Sequence, residues 1–366
     1  MTMQRTVLWG LTIALFLSAV ASTAGPVGAS ATSSVYTISN GSSGNSVLQY
    51  AAGPEGTLTL VGTFSTEGIG TGSALASQGA VALTHNGHWL ITVDAASNQV
   101  TVFHVNQDGS LMFASITGSQ GTMPVSVTIH GHLVYVLNAG TTTTAGNIAG
   151  FWLGKDGQLT SITGSNQPLG GAAGSSPEQI GFNNNGEVLV VTEKAANLID
   201  TYVVGKNGVA SAPTSTPSNS AGPYGFAFTS QGFLVVSEAA AGTLSSYAVS
   251  DTGSLKTLSG SIPDFGLAPC WVAASPDGRL VYTSNAHGGT ISGYTVSGSG
   301  HLSLFSSVAG KTSIPTLDLA FSKNGHLLYV LNGGQITAFQ AYSGGSLAQL
   351  FTVGGVPASA AGLAVG

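Results

Sequence analysis

Residues 270–307 read CWVAASPDGRLVYTSNAHGGTISGYTVSGSGHLSLFSS. CWVAAS (270–275) alternates as a strand, PDG makes a tight turn, RLVYTSN is a second strand, TISGYTV a third and HLSLFSS a fourth. Asp-Gly tolerates the positive φ that a short hairpin demands, so the turn fixes the register between the first two strands. Four short antiparallel strands in one stretch make a small sheet that cannot bury both faces alone. It needs copies of itself.

The copies are present. The hairpin glycine recurs as Gly87, Gly131, Gly186, Gly232, Gly278 and Gly325, at a period of about 45 residues. A second marker, a glycine that opens the fourth strand, occurs seven times, at Gly56, Gly109, Gly157, Gly208, Gly253, Gly300 and Gly345. Helical periodicity is absent. Such a repeat predicts an all-β, seven-bladed β-propeller of four-stranded antiparallel blades. The ends account for the missing hairpin: VYTISN (35–40) matches a second strand and SAAGLAV (359–365) a first, so the last blade is expected to be closed by both termini.

Arg5 followed by the apolar run VLWGLTIALFLSAV (7–20) and small residues has the form of a secretory signal peptide. Residues 1–31 are therefore expected to be a leader, cut after Ala21, Ala24 or Ala31, and residues 32–366 one propeller domain, exported and without a membrane span. The run is shorter than the roughly 20 residues that cross a bilayer. Net charge is −6, which argues against a nucleic-acid partner. A single cysteine, Cys270, forbids an intrachain disulfide. Only 6% of residues are charged, where about 25% is ordinary; neutral polar groups must cover the surface, a composition suited to an acidic exterior.

Aligning the ends of the second strands gives Asn40, Asp94, Asn138, Glu193, Glu238, Asn285 and Asn332. Asn and Asp at a strand end often bond their own backbone; glutamate does so less readily, which singles out Glu193 and Glu238. Either could activate water at a carbonyl, with His287 polarising it and Asp94 helping to hold a ligand. Lys194, next to Glu193, alternates to the outer face if the strand continues. The entries of the first strands supply pocket candidates: Glu178, Gln179, Tyr224, Cys270, Trp271 and Asp318, with Trp271 either a stacking platform or a core aromatic. Cys270 has no basic neighbour in sequence and reads as a buried, inert thiol. No cofactor motif is present; Asp94, Glu193 and Glu238 are hard oxygen ligands of the kind Ca²⁺ takes.

SPDGRLVYTSN with GTISGYTV resembles the repeat of the seven-bladed lactonase family, which includes 6-phosphogluconolactonase and carboxymuconate cyclase, and whose YVTN-type repeats also occur in secreted propellers. The resemblance spans the mature chain. It implies the propeller fold, lactone chemistry and a role for Glu238, which matches a glutamate the family places after a second strand. The family's GPRH-like phrase is GPYGF (222–226) here, SPEQIGF (176–182) stands in place of its histidine-rich segment, and SNAHGG has alanine where the family has arginine. The only arginine beyond the leader is Arg279, and anionic substrates are usually clamped by arginine forks. Two functions follow: a secreted hydrolase or cyclase acting on a neutral lactone, or a non-catalytic exported propeller that binds a glycan, small molecule or protein through its rim. Either would work as a monomer.

Overall fold

The computed structural model describes residues 1–2 and 33–366. The expected leader, apart from its first two residues, lies outside the described residues. The chain divides into Met1–Ala31 and Thr32–Gly366, and the second unit holds the propeller. Among the described residues no helix is long and apolar enough to cross a membrane, and the one helical element is the 3-10 segment Pro54–Gly56.

Seven antiparallel sheets follow one another, each a blade. Blade 1 contains Ser34–Ile38, Ser46–Ala52 and Leu58–Ser65, with Ala361–Val365 paired to Ser34–Ile38 on the inner side. Blade 2 runs Val81–Leu83, Trp89–Asp94, Gln99–Val105, Leu111–Gly118, and blade 3 starts with Pro124–His130, Leu133–Asn138 and Asn147–Leu153. Blade 4 is Pro177–Phe182, Val188–Glu193, Leu198–Val203 and Thr214–Pro217; blade 5 is Pro223–Phe228, Phe233–Glu238, Thr243–Val249 and Leu255–Pro263. Blade 6 is Pro269–Ala274, Leu280–Asn285, Thr290–Val296 and Leu302–Lys311, and blade 7 is Thr316–Phe321, Leu327–Asn332, Gln335–Ala341 and Leu347–Gly354.

Blade 3 departs from four strands. Its outer strand is split into Leu159–Ser161 and Gln167–Pro168, because the chain turns at Gly164 (φ 83) and the Ser165 hydroxyl donates to the Ile162 and Gly150 carbonyls in place of a ladder bond.

Both repeat markers have a physical reason. The hairpin glycines adopt positive φ, 71° at Gly278 and 72° at Gly325, as the turn chemistry requires. In six of the seven repeats the second glycine presents its carbonyl to a hydroxyl of the preceding blade. Tyr36 Oη donates to Gly109 O (2.6 Å), Ser115 Oγ to Gly157 O (2.7 Å) and Tyr135 Oη to Gly208 O (2.7 Å). Thr201, Ser246 and Tyr282 do the same for Gly253, Gly300 and Gly345. Each of these six joints therefore buries one hydroxyl with a partner, as an interior polar group usually is. Around these bonds the second and third strands pack fully buried valines, isoleucines and tyrosines between sheets.

Candidate active site

The inner strands do not enter the channel as regular ladders. In six of the seven blades the register between the first and second strand shifts near the channel entrance. A bulge of this kind re-aims the extra residue. In blades 4 to 7 the residues inside the shift are Glu178, Tyr224 with Gly225, Cys270 with Trp271, and Leu317 with Asp318. Four successive blades thus turn polar and aromatic side chains toward one mouth.

At that mouth Glu178 and Lys194 form an ion pair of 2.7 Å; the carboxylate is 3% exposed and the lysine 36%. Glu178 Oε1 also accepts from Ser176 Oγ (2.9 Å). The Lys194 ammonium lies 5.1 Å from the centre of the Tyr224 ring, in cation–π contact, and Tyr224 meets Trp271 edge to face at 5.1 Å. Trp271 Nε1 donates to Ser77 O (2.8 Å), across the channel from blade 6 to the entry of blade 2. Burial pushes the Glu178 carboxyl above the ordinary carboxylate range, and Lys194 offsets part of that. Burial likewise raises the Cys270 thiol to about 12, with Glu178 adding to it, which disfavours the thiolate.

Beneath the mouth two glutamine amides stitch the inner strands. Gln78 Nε2 donates to Val272 O (2.8 Å) while its Oε1 accepts from Val272 N (3.0 Å), and Gln179 makes the same two-way bond with Phe226. A Cβ at Gly225 would strike the Gln78 amide oxygen and the Cys270 carbonyl; only glycine lets the amide cross there. Asp318, buried in the same layer, accepts from Leu319 N (2.8 Å) and from the Gly79 and Leu363 main chains, and burial raises it to about 7. A cavity of about 270 Å³ lies against this layer, lined by Gln78, Gln179, Asp318, Thr128, Phe182 and Phe226.

The ring of strand-end residues lies elsewhere. Asp94, Glu193 and Glu238 are all fully buried, and each is engaged by the loop that enters its own blade. Asp94 accepts from Thr66 Oγ1 (2.5 Å), Thr101 Oγ1 (2.7 Å) and Asn45 Nδ2 (2.9 Å). Glu238 accepts from Ser218, Ser220 N, Thr243 and Ser245. Glu193 Oε1 accepts from Gly171 N (2.8 Å). The three carboxyls are not brought together, and among the described residues no group of three His, Cys, Asp or Glu is arranged to hold a metal. His287 is exposed beside Leu267, whose carbonyl its backbone N–H reaches.

Of the sequence-level candidates, then, Glu178, Tyr224 and Trp271 share one site, while Glu193, Glu238, His287 and Asp94 lie apart from it. Lys194 corrects a reading: the strand stops at Glu193 and a turn over 194–197 carries the ammonium back over Glu178 instead of outward. Gln78 was not singled out by the repeat, because it precedes the short inner strand of blade 2.

The architecture is that of a seven-bladed β-propeller. The family model for "Lactonase, 7-bladed beta-propeller" matches residues 29–148 and 234–317, more than half of the chain, and the chain belongs to that family. Similar solved structures include a putative 6-phosphogluconolactonase from Bacteroides fragilis (18% identity, 92% of this chain and 98% of that one, TM-score 0.69). A periplasmic gluconolactonase from Pseudomonas aeruginosa is also similar (18% identity, 91% and 98% covered, TM-score 0.72). At such identities the likeness is one of fold. No curated protein sequence matches the chain.

Proposed function

We propose that the protein hydrolyses a neutral lactone at the Glu178–Lys194 mouth. The observation that carries this reading is a buried carboxylate 2.7 Å from an ammonium, framed by Tyr224 and Trp271. A carboxyl raised by burial is a better proton acceptor at neutral pH than an exposed one. In the reaction Glu178 takes a proton from water as the water oxygen bonds to the lactone carbonyl carbon. Lys194 faces the oxygen on which negative charge develops. The ring C–O bond then breaks, and Glu178 returns the proton to the departing alkoxide, leaving a hydroxy acid. Tyr224 and Trp271, 4% and 5% exposed, pack in the core against the ion pair and fix its position.

Neutrality of the substrate rests on charge. Arg279 is 68% exposed and paired with Asp277 at 2.8 Å in the blade 6 hairpin, at the end of the inner strand away from the mouth, so Lys194 stands without a guanidinium beside it. The leader-like residues 1–31 and the fold it shares with a periplasmic gluconolactonase support placing the protein outside the cytoplasm. One experiment addresses both points. Protein recovered from the periplasm or culture fluid of the native host is weighed at its N-terminus and assayed on neutral and phosphorylated lactones. A start shortly after residue 21 and hydrolysis of a neutral lactone are expected, with Glu178→Gln lowering kcat by about 10²- to 10⁴-fold. Failure to open any lactone, or unchanged turnover in Glu178→Gln, would sink the proposal.

A further inference from the structure

Blade 4 departs from its neighbour blade 5, and from blades 2 and 6, at one point. In blades 2, 5 and 6 the strand-end residue meets a hydroxyl from the third strand: Asp94 meets Thr101 (2.7 Å), Glu238 meets Ser245 (2.8 Å) and Asn285 meets Ser292 (2.9 Å). The corresponding pair in blade 4 is Glu193 and Asp200. Both are fully buried. Their outer oxygens are held by consecutive main-chain N–H groups, Gly171 N to Glu193 Oε1 (2.8 Å) and Gly170 N to Asp200 Oδ2 (2.7 Å). The other two oxygens, Glu193 Oε2 and Asp200 Oδ1, are buried and make no hydrogen bond; the one donor beside them, the unpartnered Ser175 hydroxyl, acts on Glu193 and has a single hydrogen for two oxygens. Two ionised carboxylates side by side in a dry interior are strongly disfavoured. A single hydrogen on either carboxyl supplies the missing donor.

No cation is at hand among the described residues. Lys194, the next residue, is committed to Glu178, and the other titratable group facing the pair is the Tyr202 hydroxyl, 3.5 Å from Asp200 Oδ2. Two carboxylates also fall short of the six to eight oxygens that calcium gathers.

We propose that Glu193 and Asp200 share one proton, and that this acid pair is a positioning device for the Glu178–Lys194 site. The inference rests on the reading of that mouth as the reactive site. The connection is short and continuous. The pair grips Gly170 and Gly171, the start of the loop that enters blade 4. The turn after Glu193 grips its end: Lys194 N donates to Ser176 O (2.9 Å) and Ala195 N to Ser175 O (2.9 Å). Ser176 Oγ in turn holds Glu178. Loss of the proton sets two negative charges against each other and releases the loop that carries Ser176, whose hydroxyl holds Glu178. Burial first, and Asp200 beside it, push the Glu193 carboxyl up to about 7, so release falls in the neutral range.

The sign follows from linkage. A carboxyl raised in the folded state contributes stability that is complete below the unfolded value, near 4.5, and is lost as pH rises through about 7. Asp318 is raised to about 7 as well and Glu178 is raised, so the informative readout is the difference between parent and variant. Asp200→Ser gives blade 4 the partner that blade 5 uses. Infrared spectra of the parent at pH 6 should contain a protonated-carboxyl band that is missing in Asp200→Ser and in Glu193→Gln. Between pH 6 and 8.5 the parent should lose more melting temperature than Asp200→Ser, and its kcat should fall along a limb that the variant shifts. Should Asp200→Ser not fold, the near-isosteric Glu193→Gln carries the same comparison.

Absence of the band from the parent, or an equal fall in both proteins, overturns the proposal. So does a rise in the parent's melting temperature on adding Ca²⁺ that Asp200→Ser lacks, since the pair would then hold an ion. If no lactone is opened, the function proposed above fails, while the band and the melting temperatures still decide whether the pair shares a proton.

Discussion

Blades 4 and 5 end their second strands on the same residue and treat it in opposite ways. Glu238 receives four donors, three hydroxyls and one main-chain N–H. Glu193 receives one main-chain N–H and faces another carboxyl. The repeat supplies the same position, burial and entry loop in both blades. What differs is the side chains around it: on the third strand Asp200 stands where blade 5 has Ser245, and Leu198 where it has Thr243. A fold built from copies can therefore change the chemistry of one copy through a few side chains without disturbing the ring.

The contrast can be broken from either side. Glu238→Ala should have the larger effect, because it strips the acceptor from four buried donors; roughly 3–5 kcal/mol of unfolding free energy should be lost, against about 1–2 kcal/mol for Glu193→Ala, which abandons one. Denaturant titration of both variants at pH 6 checks this, and equal losses would mean that the donors around Glu238 find other partners. Ser245→Asp should have the smaller effect and sharpens the same contrast. It installs the blade 4 pair in blade 5, and so should cost about 1–3 kcal/mol at pH 8 and markedly less at pH 5. A pH-independent loss would assign the cost to crowding and not to charge.

Much of this architecture is local enough to be legible in the residues. Asp-Gly and Asn-Gly at the hairpins and the glycine before each outer strand declare seven blades, because turn chemistry depends on neighbours in sequence. The ring of strand-end residues is legible as a set of positions. Their engagement is not, since two of the four donors to Glu238 come from a loop about 20 residues upstream and nothing in the phrase VVSEAA announces it. Glu178, Tyr224 and Trp271 stand out as strand-entry residues. The bulges that gather them leave no signature in sequence, and neither does the turn that returns Lys194 to Glu178, so the alternation that fits Glu193 misdirects the residue after it. Asp200 hides for a different reason. In LIDTYV (198–203) an acid in mid-strand looks like an outward, solvated residue, and only the register that sets it beside Glu193 makes it matter.

The joints between blades have a mechanical consequence. Six are keyed by a hydroxyl set into a glycine carbonyl of the next blade. At the joint between blades 7 and 1 the corresponding tyrosine is Tyr329, in LLYVLN, and its buried hydroxyl has no partner. That seam is held by apolar contacts among residues such as Leu331, Ile336, Val35 and Leu363, and blade 1 itself joins segments more than 300 residues apart. A closed ring fails first where its resistance to shear is least, and apolar packing slides where a hydrogen bond must break. Hydrogen exchange should therefore find the amides of Leu327–Asn332 opening before those of Leu280–Asn285, whose Tyr282 is keyed. Equal protection of the two strands would show that packing alone makes the seventh joint as rigid as the others.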